Sequence, residues 1–258
     1  MNPVLLLTFT RQDLVDRYST SLLGGLWTLI NPLVQILIFT LVFSKIMGAR
    51  LATLGVEFNE YGYSIYLIPA VLSWAAFANT LTRVTTIFQD KAGVISKISI
   101  PLAILPLYIV LSESIIFMIS MTFFAGFLLL IDFPISLMWL WILPIYLIQQ
   151  LLAYSLGFGA AVLGVFIRDV VELVKVLVYV WFWLTPIVYV IDIVPAEYET
   201  LFALNPMATL IAEYRQVILY AELPDLRGLL VLSAMGVGLM MFALYGFKKL
   251  EKDLRDFI

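Results

Sequence analysis

Six long stretches of the sequence carry almost no charge, and this feature limits the possible folds more than any other. Each stretch has about 20 residues or more, the length that an α-helix needs to cross roughly 30 Å of hydrocarbon. The six predicted spans cover residues 26–47, 62–82, 101–131, 135–167, 173–191 and 228–247. The sequence therefore predicts an all-α integral membrane protein whose residues 1–258 form one transmembrane domain. Because 135–167 is too long for one perpendicular helix, we expect tilt, extension beyond the membrane or a break near Pro144.

The composition agrees with a membrane protein and excludes several classes of function. Hydrophobic residues make up 63% of the chain and charged residues only 13%, whereas soluble proteins average about 25% charged residues. The chain has no Cys and no His, so it lacks thiolate and imidazole groups for catalysis or metal binding. Its net charge of −3 favours no nucleic-acid partner. We therefore expect no catalytic residue, no metal site and no cofactor in this chain.

The sequence also lacks the motif G-x-x-x-x-G-K-S/T, which cradles nucleotide phosphates in P-loop ATPases. If the function consumes ATP, a separate chain must bind the nucleotide.

Lys and Arg are distributed unevenly between the two sides of the predicted spans. Eleven of the fifteen basic residues fall on the side that also carries both termini, and the other four fall on the opposite side. Membrane proteins keep the loops rich in Lys and Arg in the cytoplasm. We therefore expect both termini, including the tail at residues 248–258, to be cytoplasmic.

Residues 1–25 predict an amphipathic helix that lies in the cytoplasmic interface of the membrane. Apolar residues recur at near-helical spacing, and Arg11, Asp13 and Arg17 fall on the opposite, polar face. A soluble N-terminal helix is the alternative. Leu23 and Gly24 then turn the chain into the membrane, because glycine tolerates the backbone angles of a tight turn.

The predicted cytoplasmic loop 83–100 is a candidate docking site for a soluble partner. Its apolar residues, Val94 and Ile95 among them, predict one face of a short helix that projects beyond the membrane. The polar residues that we expect on its exposed side are Gln89, Asp90, Lys91 and Lys97. The alternative is a solvated loop whose positive charge only sets the orientation of the chain.

The predicted outer segment 192–227 is unusually apolar for a connection between spans. Asn205-Pro206 divides it, because the residue before a proline is pushed out of the helical region. Each half is too short to cross the bilayer. We therefore expect a re-entrant or interfacial helical hairpin before the last span.

Few polar residues occur within the predicted spans. Glu113 is predicted to lie in the middle of the bilayer, where a charged group costs at least about 2.5–3.5 kcal/mol, so it should face protein or water. Glu113 can have either a functional or a purely structural role. Gln149 and Gln150 are expected to bridge helices. Gly157 and Ala161, four residues apart, permit close helix packing within one chain or between two.

Several sequence fragments, in their order and spacing, resemble one family across nearly the whole chain. The fragments are Arg11-Gln12-Asp13-Leu14, Arg17-Tyr18, Leu23-Gly24 through Trp27, Asn31-Pro32, Phe166-Ile167-Arg168-Asp169-Val170, Trp181-Phe182-Trp183-Leu184-Thr185-Pro186-Ile187-Val188-Tyr189, Asn205-Pro206-Met207 and Lys249-Leu250-Glu251-Lys252. The chain resembles the membrane subunit of ABC-2-type polysaccharide exporters, which carry O-antigen, capsular polysaccharide or teichoic acid precursors. The O-antigen branch is the most similar.

The resemblance implies a homodimer in the bacterial inner membrane, paired with two copies of an ATPase subunit that binds ATP and Mg²⁺. It further implies that loop 83–100 couples to the ATPase, that the N-terminal helix belongs to the cytoplasmic interface, and that the segment 192–227 forms an outer gate. The substrate would be a lipid-linked polysaccharide. Two alternatives to a polysaccharide exporter remain. They are an ABC-2 exporter of a drug or lipid, and a proton-coupled transporter.

Aromatic residues of the spans are candidates for the lining of the passage. Ring faces offer a sliding glycan shallow contacts, whereas charge-assisted hydrogen bonds would hold it in place. The candidates are Phe39, Phe43, Trp74, Phe77, Trp181, Trp183 and Tyr189. For any single ring, the alternative is a place in the interfacial belt or against lipid.

Overall fold

The computed structural model describes residues 3–17, 21–42, 61–97, 101–190 and 204–257, together with Glu197 and Phe202. Within these ranges every regular element is helical. The α-helices are α1 (Pro3–Asp16), α2 (Trp27–Val42), α3 (Gly62–Asp90), α4 (Ala92–Ile95), α5 (Leu107–Leu130), α6 (Ile142–Phe166), α7 (Asp169–Trp183), α8 (Pro206–Arg215) and α9 (Leu226–Phe257). Short 3₁₀ turns at Gly24–Leu26 and Leu137–Trp141 precede α2 and α6, and a π-helical turn at Gln216–Tyr220 follows α8.

The all-helical, multi-pass membrane class is confirmed. Among the described residues, four helical stretches are long and apolar enough to cross a membrane, namely Gly62–Asp90, Leu107–Leu130, Leu137–Phe166 and Leu226–Leu254. Helices α2 and α7 have 16 and 15 residues, fewer than the about 20 that a perpendicular crossing requires. The count of six spans therefore stays a prediction.

The helices do not end where the predicted spans end. Helix α3 continues through residues 83–90 to Asp90, because no Gly or Pro interrupts them. The last helix extends to Phe257 and includes most of the predicted tail. Helix α7 ends at Trp183, two residues before Thr185-Pro186, so the predicted span 173–191 is not one helix. Pro144 lies in the first turn of α6 and breaks nothing, because that turn needs no N–H donor.

Helix α6 packs against both α3 and α9, and α3 is the most buried of the four long apolar helices. A Cβ atom at Gly157 would lie 2.9 Å from both the Leu81 carbonyl oxygen and the Val84 Cβ, so only glycine permits this approach of α6 to α3. The Gln149 side chain donates to the Ser73 carbonyl at 3.0 Å and bridges the same pair. The predicted bridging role of Gln149 is confirmed, and Gly157 serves packing within the chain.

Helices α2 and α7 both contact α3 but are packed at the periphery. Large apolar side chains remain exposed on each of them, including Leu37 and Leu41 on α2 and Val176 and Tyr179 on α7. In a membrane, such surfaces meet lipid or another protein surface.

Candidate functional site

Four charged side chains from three elements converge at one end of the helix bundle. Asp13 lies on α1, and Arg17 is the first residue after that helix. Arg83 lies on α3 and Glu113 on α5. The Glu113 Oε1 accepts hydrogen bonds from Arg17 Nη2 at 2.5 Å and from Arg83 Nη1 at 2.8 Å. Arg83 Nη2 also bonds to Asp13, which lies 3.4 Å from Arg17. These residues, here called the charged cluster, tie α1 to α3 and α5.

Burial makes the pairing within the charged cluster necessary. The Glu113 side chain is only 1% exposed, and removing one partner of such a buried pair leaves an uncompensated charge. Two guanidinium and two carboxylate groups balance each other, so the cluster is neutral. Glu113 is the seventh residue of α5, about 9 Å from its start. The expectation that Glu113 faces protein is confirmed, because it pairs with Arg17 and Arg83, whereas its position in the middle of the bilayer stays a prediction.

Two residues of the predicted polar face of the N-terminal helix contact the rest of the protein. Asp13 and Arg17 both point inward to the charged cluster. The outward face carries exposed Leu7 and Val15 together with exposed Arg11. Apolar side chains can face lipid, whereas Asp13 and Arg17 are stabilised by charged partners within the protein.

The turn between α1 and α2 has the predicted character. Gly24 has a φ of 50°, a left-handed conformation that glycine adopts without steric cost. The Trp27 indole N–H donates to the Ser21 hydroxyl at 2.8 Å and closes this turn. Leu23 beside it is exposed.

A polar cavity of about 360 Å³ adjoins the charged cluster between α2, α3 and α5. Its polar lining consists of Arg17, Asn31, Gln35, Asn79, Glu113 and Ser120. A cavity of this size and polarity is large enough to hold water. Within the described ranges, no three acidic side chains come close enough to bind a metal ion.

Three of the predicted pathway rings pack against each other inside the chain. The ring centroids of Phe77 and Trp181 are 5.2 Å apart, and those of Trp74 and Trp181 are 6.3 Å apart. Phe77 is fully buried and Trp74 nearly so. In this chain the buried pair contributes to the core, and Trp181 is partly covered by it.

The other pathway rings have more free surface. The Trp183 side chain is exposed, at 55%, whereas Phe39 and Tyr189 are half-buried. Phe43 lies outside the described residues. The pathway role of the seven rings stays a prediction, and Trp183 has the most surface to offer a passing substrate.

The residues predicted to dock to a partner occupy the turn after α3. Ile95 is only 7% exposed and packs with Val94 against the chain's own core. Ile95 is therefore covered by the chain itself, and Val94 partly so. The Gln89 amide donates to the Gly164 carbonyl at 2.9 Å, and Lys91 lies 5.8 Å from the centre of the Tyr108 ring. The exposed residues around this turn are Gln89, Asp90, Gly93, Ser96 and Lys97.

The charged cluster was not foreseen from the sequence, although one signal pointed to it. Arg83 follows the predicted second span and Arg17 precedes the first, so both lie on the predicted cytoplasmic side, whereas Glu113 lies within the third span. Charges within membranes pair with each other, so the long arginine side chains on that side were candidate partners for Glu113.

Comparison with known proteins gives a consistent result. Residues 4–219 match the family described as ABC-2 type transporter. The O-antigen export system permease protein RfbA of Klebsiella pneumoniae is 28% identical over 248 residues, which are 96% of this chain and 92% of that protein. The protein of the same name from Myxococcus xanthus is 25% identical over 260 residues, with 98% of this chain and 95% of that protein covered.

Proposed function

Because the chain belongs to the ABC-2 type transporter family, we propose that it is the permease subunit of an ATP-driven exporter of a lipid-linked polysaccharide, of the O-antigen class, in the bacterial inner membrane. The observation that carries this proposal is similarity along nearly the whole chain to relatives named as O-antigen export permeases. A transport role also suits a sequence without His, Cys or a phosphate-binding loop.

The proposed assembly is a homodimer with two copies of a separate ATPase. The exposed apolar surfaces of α2 and α7 support a second copy, because they flank α3 on the same protomer and need lipid or protein cover. In the proposed topology these two short helices are the first and fifth of six spans, and both termini are cytoplasmic, as the distribution of basic residues favours.

The charged cluster supports a route for coupling in this assembly. It joins the N-terminal helix to α3 and α5 through buried ion pairs. Helix α3 continues into the turn with the exposed residues Asp90, Gly93 and Lys97. A displacement of this turn by the ATPase would therefore move α1, α3 and α5 together, since breaking the buried pairs is costly.

Replacing Gly93 by Leu is expected to weaken docking without damaging the chain. A Cβ at Gly93 meets no atom within 4 Å, and Leu favours a helix more than Gly does. The added bulk should lower ATPase retention during copurification by about tenfold, equal to roughly 1.4 kcal/mol. The matched control is Gly126→Leu in α5, which is equally open and should retain the ATPase. Equal retention by both variants would contradict docking at this turn.

The proposed function itself is tested by the hydrolysis rate of the copurified ATPase. We expect lipid-linked glycan to stimulate hydrolysis, and lipophilic drugs to have no such effect. Stimulation by drugs alone would favour a drug exporter of the same family. Absence of any copurifying ATPase, together with transport driven by a proton gradient, would favour a secondary transporter.

A further inference from the structure

The chain is unwound for seven residues directly after α7, in the part of the molecule where the predicted fifth span should continue. Residues Leu184–Val190, here called the unwound segment, follow the last helical residue Trp183. The end of a helix leaves backbone carbonyls without intrahelical donors. Within a membrane domain these groups must find partners in the protein or in a wet cavity.

Every carbonyl from residue 183 to residue 189 accepts a hydrogen bond. Four donors are side chains of other elements, and two belong to the segment itself. The bonds run from Tyr189 Oη to the Trp183 carbonyl, from Asn205 Nδ2 to Leu184, from the Ile187 N–H to Thr185, from Arg215 Nη1 to Pro186, from Arg215 Nη2 to Ile187, from Tyr63 Oη to Val188 and from Tyr66 Oη to Tyr189. Such complete satisfaction indicates a specified conformation rather than a frayed helix end.

Arg215 makes the largest contribution to this arrangement. Its side chain is 7% exposed, and it donates to Pro186 at 2.8 Å and to Ile187 at 2.9 Å. The guanidinium carbon also lies 3.4 Å from the centre of the Tyr66 ring, a cation–π contact. Among the described residues, no carboxylate forms an ion pair with Arg215. Its charge is therefore directed at carbonyl oxygens beyond the end of α7, where negative partial charge accumulates.

Asn205 holds the start of the unwound segment. Its amide donates to the Leu184 carbonyl and to the Thr185 hydroxyl, both at 3.0 Å. Its Oδ1 accepts from the Trp181 indole at 2.8 Å and from the Met207 N–H, which caps α8. Asn205 caps the first turn of α8 and Arg215 is its last residue, so the two ends of one short helix hold the start and the middle of the unwound segment.

This geometry makes α8 and the unwound segment one body. The unwound segment follows the exposed end of α7, where the Trp183 and Leu184 side chains have free surface. We propose that Arg215 is a positioning residue that keeps the unwound segment closed over the outer end of the passage in the resting exporter. This inference rests on the proposed function. Arg215 is expected to affect the closure of the passage and not the ATP hydrolysis of the partner ATPase.

The absence of Cys allows a direct test with single cysteine reporters. Ile187→Cys places a thiol at a position that is fully buried, and Val188→Cys is a second reporter if the first does not fold. Labelling is measured with a small thiol reagent on the purified chain in detergent. Arg215→Met should speed labelling of the reporter by about tenfold or more, because two charge-assisted hydrogen bonds are lost. Arg215→Lys should give an intermediate rate.

Three controls separate a local effect from general damage. Arg227→Met is the same change at an exposed arginine and should leave labelling unchanged. Leu204→Cys is exposed and should react fast in every background. Ala153→Cys, buried in the centre of α6, should stay protected with Arg215→Met. Faster labelling at Ala153 as well, or no change at Ile187 and Val188, would overturn the proposal.

The functional readout is leak of a small solute from sealed vesicles that contain the permease and no ATP. Arg215→Met should leak, whereas Arg227→Met should stay sealed. A tight vesicle with Arg215→Met would also overturn the closure role. Failure of the proposed function gives a different result. Arg215→Met would then still change reporter labelling and leak as described, but glycan would not stimulate ATP hydrolysis by the complex.

Discussion

Replacing Arg83 by Gln is expected to lower the free energy of unfolding by about 3–5 kcal/mol, the usual effect of breaking a buried ion pair. Arg83 bonds to both carboxylates of the charged cluster. Without it, Glu113 keeps only Arg17, although its side chain is almost fully buried. The measurement is the thermal denaturation of the purified chain, together with its abundance in the membrane.

The partner variant makes this prediction specific to charge. Arg83→Gln/Glu113→Gln removes one charge of each sign, and it should recover a large part of the lost stability. Lys175→Gln is the control, since Lys175 and Glu172 form an exposed pair at 2.7 Å that is worth about 0–1 kcal/mol. If Arg83→Gln and Lys175→Gln destabilise equally, or if the double variant is worse than Arg83→Gln, the charged cluster does not hold the fold as described.

Replacing Gly157 by Leu is the second change with a large expected effect. A Cβ there would meet the Leu81 carbonyl oxygen and the Val84 Cβ at 2.9 Å, and neither the backbone of α3 nor this Cβ can rotate away. Overpacking of this kind costs about 1–3 kcal/mol or more. It would also push α6 away from α3 and lengthen the Gln149 bond to Ser73. We expect folded protein in the membrane to fall severalfold.

The matched control for Gly157 is Gly238→Leu in α9, where a Cβ meets no atom within 4 Å. This variant should accumulate normally, because the same side chain is added at an open position. Normal abundance and export with Gly157→Leu would contradict the close contact between α3 and α6.

The apolar spans and the main packing contacts could be predicted because they depend on local patterns. Uncharged stretches near 20 residues identify membrane helices, and Gly157 with Ala161 at a spacing of four identifies a close contact surface. The pattern could not say which neighbour occupies that surface. The structure shows that the neighbour is α3 of the same chain.

The candidate site was harder to predict because its contacts join distant parts of the chain. Arg17 and Glu113 are 96 residues apart in sequence, and helical periodicity alone carries no information on such pairs. Periodicity separated the two faces of α1 but could not show that Asp13 and Arg17 of the polar face contact α3 and α5. The Thr185-Pro186 sequence marks a break in α7, but the donors that stabilise the unwound segment come from α3 and α8.

The most direct measurement is ATP-dependent transfer of a lipid-linked glycan across sealed vesicles that contain this chain and its partner ATPase. Lectin binding on the side opposite to the ATPase reports the glycan. With the wild-type chain and ATP, the glycan should arrive on that side, and it should not arrive with a non-hydrolysable ATP analogue or with Gly93→Leu. If the complex with the wild-type chain hydrolyses ATP but no glycan reaches the opposite side, the result would contradict a polysaccharide export function.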